Sequence, residues 1–130
     1  MKLLLDTHIW IWALLEPERL SPEVRRALQS ENSEIWLSPI SVWEALILAE
    51  KGRISVKGDL HAWITQMLEA TPRREAPVTH EIAVMSRSLS LEHEDPADRF
   101  LAATAHVLEL TLVTADERLI RSGDFAVLRN

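Results

Sequence analysis

Four acidic residues, Asp6, Glu44, Asp98 and Asp116, stand where chemistry could be done. The first closes the run "LLLD", where three leucines lead straight into a carboxylate, and the last closes "LVTAD". In an open parallel sheet, ligands bind beyond the carboxyl ends of the strands, above all where the strand order reverses. The other two acids, in "SVWE" and "DPAD", read as first-turn residues of helices that would start on that same edge. Four carboxylates cannot crowd together unpaired, because like charges raise one another's pKa, and no lysine stands beside any of them. Oxygen donors with no cysteine and no paired histidines suit a hard ion, Mg²⁺ or Mn²⁺, rather than zinc. The chemistry such a cluster suits best is metal-assisted phosphodiester hydrolysis.

Each acid also has a structural reading. Asp6 could cap the helix after its strand. Glu44, three residues after Ser41, matches a capping box. Asp98 lies behind Asp95 as cap and Pro96 as first helical residue, where an acid complements the helix dipole. Asp116 could cap a short following helix. Taken singly, these readings outweigh catalysis; four acids converging on one rim reverse the balance.

The elements that must position them alternate from end to end, as in a parallel α/β sheet. "KLLLD", "EIWLS", "RREAPVT", "TLVTAD" and "FAVL" read as strands. "SPEVRRAL" has a serine cap and proline at the first helical position, and "SPISVWEALILAEKG" reads as a helix ending at Gly52. Leu60, Trp63, Ile64, Met67 and Leu68 form a helical stripe over 59–69. Thr79 caps a helix holding Ile82, Met85 and Leu89, and Ala97, Phe100, Leu101, Ala105 and Leu108 share one helix face. The helices could cover both faces of one sheet of four or five strands, in a single domain spanning 1–130. Trp10, Trp12, Trp43 and Trp63 are expected in the core or at an interface, since large apolar residues among aliphatics mostly fill cores.

The 130 residues suit one domain with one core, and 47% hydrophobic content argues against disorder. No apolar run approaches the roughly 20 residues needed to span a bilayer. "MKLLLD" meets a carboxylate too early for a secretory signal, and the absence of cysteine excludes disulfides and thiolate chemistry. A cytoplasmic protein with no membrane partner is expected. The net charge of −6 lowers the prospect of nucleic-acid binding, although 11 of the 14 cations are arginine, the better phosphate grip.

"LLLDTHIWIWAL", "SPISVWEALIL", "DPADRFLAATA" and "LVTADERL", in this order and spacing, resemble the PIN-domain ribonucleases, and more closely the VapC toxins of bacterial toxin–antitoxin pairs. The resemblance covers nearly the whole chain. It implies a three-layer α/β/α sandwich around a parallel sheet, Mg²⁺- or Mn²⁺-dependent cleavage of RNA, a small antitoxin as inhibitor, and a homodimer, with Trp63 or the Ile82/Met85 stripe as interface candidates. The family's acidic quartet falls on Asp6, Glu44, Asp98 and Asp116. Asp6 and Asp98 are expected to hold metal most directly, with Glu44 and Asp116 completing the site directly or through water. Thr114 matches a family hydroxyl two residues before the last acid, expected to bond a metal-bound water or a carboxylate. Asp95 reads as a cap twice as readily as a ligand. Arg99 divides evenly between a phosphate contact and a surface ion pair. His8 is close to Asp6, but a metal-activated water needs no histidine. His93 is expected in solvent, and Arg73, Arg74, Arg87, Arg118 and Arg121 could form an RNA-facing patch.

Two rivals remain at this level. "LLLDTH" resembles the aspartyl-phosphate phosphatases, whose strand ends in D-x-D, but position 8 is histidine. An acidic rim could instead bind an arginine-rich peptide without catalysis.

Overall fold

A computed structural model describes residues 1–92 and 94–130; His93 lies outside the described residues. Strand β1 (Lys2–Leu5) lies at the centre, its three leucines at most 3% exposed, as expected for a parallel strand covered on both faces. It pairs in parallel with β2 (Glu34–Leu37) on one side and β4 (Thr111–Thr114) on the other. Beyond these, β3 (Arg74–Glu75) and β5 (Ala126–Arg129) complete a five-stranded, all-parallel sheet of order β3-β2-β1-β4-β5. The chain runs outward from β1 to β3, then returns to β4 beside β1. Strand order therefore reverses between β1 and β4, and a crevice opens past their carboxyl ends.

Alternation along the strands separates two cores. Leu3, Leu5 and Val113 face α1 (Thr7–Leu15), α2 (Pro22–Gln29), α3 (Pro39–Glu50) and α4 (Leu60–Glu69). Leu4 and Leu112 face α5 (His80–Ser88) and α6 (Pro96–Leu108), with Leu119 of the short α7 (Glu117–Ile120). The result is the expected three-layer α/β/α sandwich. Alanines 97, 102, 103 and 105 of α6 are all buried; their small side chains let this helix lie close to the sheet. Among the described residues no helix is long and apolar enough to cross a membrane.

Several local expectations change. Ser38, not Ser41, caps α3 by accepting from the Ile40 N–H at 3.0 Å. Pro39 occupies the first helical position, which leaves the cap to the residue before it. Glu44 is therefore the sixth helical residue, in the second turn, and the capping-box account of it lapses. Trp10 is fully buried and donates from Nε1 to the Thr71 hydroxyl at 2.8 Å, and Trp12 and Trp63 pack against the same core. Trp43 instead is 53% exposed on the outer face of α3. Ile82 is fully buried and the partly buried Met85 packs beside it, so that stripe serves the chain's own core.

Arg99 fits neither of its expected roles. It is 5% exposed, and its guanidinium donates to the backbone carbonyls of Ser86, Leu89 and Leu91 at 2.7, 3.0 and 3.3 Å. These carbonyls lie at and just after the end of α5, where a helix leaves acceptors without intrahelical donors. Arg99 thus ties the α5 terminus to α6, the helix that carries Asp98. Truncating it strands buried acceptors, so Arg99→Ala is expected to cost about 3 kcal/mol in chemical unfolding. A surface arginine would cost no more than about 0.5 kcal/mol, and a loss that small would refute this assignment.

Candidate metal centre

Asp6 is the residue immediately after β1 and caps α1, its Oδ1 accepting from the Thr7 N–H at 2.8 Å. Its other oxygen, Oδ2, accepts from the Thr114 hydroxyl at 2.7 Å. Thr114 ends β4, and the same hydroxyl accepts from the Asp116 N–H at 3.0 Å. One side chain thus joins the two strand ends across the switch point and orients both acids. Asp116 also caps α7, accepting from the Arg118 N–H at 2.9 Å. The buried Thr7 hydroxyl donates to the Glu44 carboxylate and lies 3.2 Å from the Ser41 hydroxyl. Asp95 caps α6, its Oδ1 accepting from the Ala97 and Asp98 N–H groups at 2.9 and 3.3 Å.

These acids meet in a cleft of about 420 Å³ lined by Asp6, Glu44, Asp95, Asp98 and Asp116, with His8, Trp12 and Arg118 on its wall. Glu44, Asp95 and Asp98 each bring a carboxylate oxygen within 4.8 Å of the others. Arg118 is the cleft's arginine, with Nε 3.5 Å from Asp116 Oδ1. A larger hollow of about 550 Å³ adjoins the cleft and shares His8 and Trp12, but its one acid is Glu16. The chemistry therefore belongs to the smaller, acidic cleft.

The electrostatics are those of crowded like charges. Burial, more than any neighbour, raises the Asp6 carboxyl above its ordinary range, against the bonds from Thr114 and Thr7. Burial likewise raises Glu44. Asp98 is pushed up to about 8, by burial first and then by the charges of Asp6, Asp95, Glu44 and Asp116. Without a cation, Asp98 keeps its proton near neutral pH. An all-oxygen donor set with converging carboxylates fits a hard divalent ion, and such an ion reverses the local preference for protonation.

The four acids of the sequence reading lie in this one cleft, and Thr114 touches two of them. Asp95 takes the capping position, but it also stands in the cluster, so cap and charge are one residue here. Arg99 points away, into the α5 terminus. Of the five arginines proposed as a patch, only Arg118 lines the cleft. Arg73 bonds the carbonyls of Leu68 and Thr71, and Arg74, Arg87 and Arg121 pair with Glu34, Glu94 and Glu92. Thr7 and Ser41 are additions the sequence reading missed. The spacing of Ser41 and Glu44 by three did carry a signal, since such residues share a helix face.

Comparison with known proteins agrees with this geometry. The PIN domain family matches residues 3–124. Ribonuclease VapC22 of Mycobacterium tuberculosis is 35% identical over 117 residues, 89% of this chain and 88% of that protein. The crystal structure of VapBC2 from Rickettsia felis, bound to a promoter DNA fragment, shares the fold with a TM-score of 0.73 at 19% identity, covering 99% of this chain and 98% of that one. FitAcB from Neisseria gonorrhoeae aligns with a TM-score of 0.67 at 26% identity, over 98% and 96% of the two chains. Since the match takes in the β1–β4 switch point and every acid of the cleft, the chain belongs to the PIN-domain family.

Proposed function

We propose that this chain is a Mg²⁺- or Mn²⁺-dependent endoribonuclease, the toxin of a toxin–antitoxin pair, with residues 1–130 working as one nuclease domain. The observation that carries the reading is the convergence of five carboxylates in one cleft at the β1–β4 switch point. Relatedness to a ribonuclease supports RNA as substrate. Similar folds in toxin–antitoxin complexes support a small antitoxin protein as partner.

Asp6 and Asp98 would hold the ion, with Glu44 and Asp116 completing the site and Asp95 adding charge from the helix cap. A divalent ion bound there supplies Lewis acidity, acidifying water and offsetting charge on the phosphodiester. The chain supplies the preorganisation. Thr7 N–H and the Thr114 hydroxyl hold both oxygens of Asp6, leaving further lone pairs on each oxygen for a cation. The Thr7 hydroxyl aims Glu44 into the cleft. These supports sit on a central strand and on helix starts, so the carboxylates need little rearrangement.

RNA cleavage by the purified chain is expected to require Mg²⁺ or Mn²⁺ and to stop in EDTA. Asp6→Asn keeps the size and capping oxygen but removes the charge, and is expected to lower cleavage at least about 100-fold with the fold intact by circular dichroism. Full metal-dependent activity in that variant would remove Asp6 from the site.

The pH dependence has a definite sign. Asp98 keeps its proton to about pH 8 in the metal-free fold, but loses it near 3.8 when unfolded. Between those values the fold binds the extra proton, so this group's contribution to stability falls as pH rises. In EDTA, the stability gained by Asp98→Asn over the wild type is therefore expected to grow from about pH 5 to about pH 8. Mg²⁺ displaces the same proton, so its affinity should rise over that window. A pH-independent difference between the two proteins would contradict the assignment.

A further inference from the structure

A second cleft, of about 260 Å³, adjoins the acidic one and shares Glu44 and Asp95 with it. Its outer wall is made by Trp43, Leu48, Lys51 and Arg53. A polyanion cannot approach five carboxylates on their account alone, so cations beside the centre must supply its attraction. Arg19 is paired with Glu16 and lies 4.3 Å over the Trp12 ring, and Arg118 is beside Asp116. Lys51 and Arg53, by contrast, are exposed and pair with no carboxylate among the described residues.

The backbone holds these two cations in place. Gly52 ends α3 at φ 72°, with its own N–H on Ala49 O at 3.0 Å and the Arg53 N–H on Leu48 O at 2.9 Å. That paired bonding is the Schellman termination, which wants a residue without Cβ at the left-handed position. It anchors Lys51 and Arg53 to the helix that carries Glu44. Two turns before the end, Trp43 offers an indole face that is 53% exposed, directly beside Glu44 in sequence. An exposed aromatic next to unpaired cations is the composition of a single-strand binding groove, in which bases stack and phosphates are gripped.

We propose that this cleft is the nucleotide subsite flanking the scissile phosphate: Trp43 stacks on an unpaired base of single-stranded RNA, and Arg53 with Lys51 contacts the adjoining phosphates. The inference rests on the ribonuclease reading and adds to it the residues that grip the substrate. Neither Trp43 nor Arg53 belongs to the cores, so replacing them leaves the fold standing.

The test is anisotropy of a labelled, unstructured, mixed-sequence RNA of about twelve nucleotides. Every protein carries Asp98→Asn to prevent turnover. Adding Trp43→Ala is expected to weaken binding about tenfold, and Trp43→Phe to retain most of it. Adding Arg53→Gln is expected to weaken binding and to reduce the slope of log affinity against log salt by about 0.7. If the Asp98→Asn parent binds no RNA, the ribonuclease reading and this subsite fall together. If it binds and the added substitutions change neither affinity nor salt slope, the subsite alone is overturned, and the groove faces a protein partner instead.

Discussion

Repulsion among carboxylates is the constraint on which the rest of this structure depends. Asp6, Glu44, Asp95, Asp98 and Asp116 come from four separate parts of the chain and share one cleft. Left to themselves they would separate or take up protons, and Asp98, raised by burial first and by its four acidic neighbours next, shows that tendency. What keeps them together is scaffold. The leucines of β1 are locked between two cores, the strand cannot slide without exchanging its faces, and its end fixes Asp6. Arg99 ties α6 to α5 and so braces the helix start that carries Asp98.

Two threonines translate that scaffold into side-chain orientation. Thr114 bridges Asp6 and Asp116, and Thr7 holds Asp6 through its backbone and Glu44 through its hydroxyl. Each threonine therefore couples two acids, so the positions of the carboxylates are not independent. Helix capping works in the same direction. Asp6, Asp95 and Asp116 each cap a helix, so the structural and the metal-binding readings of these residues are compatible. A cap needs one oxygen, and a carboxylate has two.

The sheet, the cap at Ser21, the α4 stripe and the four acids were legible in the sequence because each rests on local pattern: apolar runs, helical spacing and turn chemistry. Apart from the α3 cap, where the adjacent Pro39 was a local sign, what the sequence left open turns on information that is not local. Ser38 and Ser41 both resemble caps, and only Pro39 at the first helical position separates them. Trp43 and Trp10 look alike among aliphatics, yet one faces outward from α3 and the other fills the core; the difference is which helix face meets the sheet. Arg99 beside Asp98 looked like a surface charge because nothing in its neighbourhood reveals that the α5 terminus folds back over it. Thr7 was overlooked because its partner, Glu44, stands 37 residues away.

Everything proposed for this acidic rim depends on its binding a divalent metal. The most direct test of that binding is the anomalous scattering of crystals grown or soaked with Mn²⁺. A peak within coordinating distance of Asp98 and Asp6 is expected, lost in crystals of Asp98→Asn. A cleft that excludes Mn²⁺ and is neutralised instead by a lysine or arginine side chain would contradict that binding.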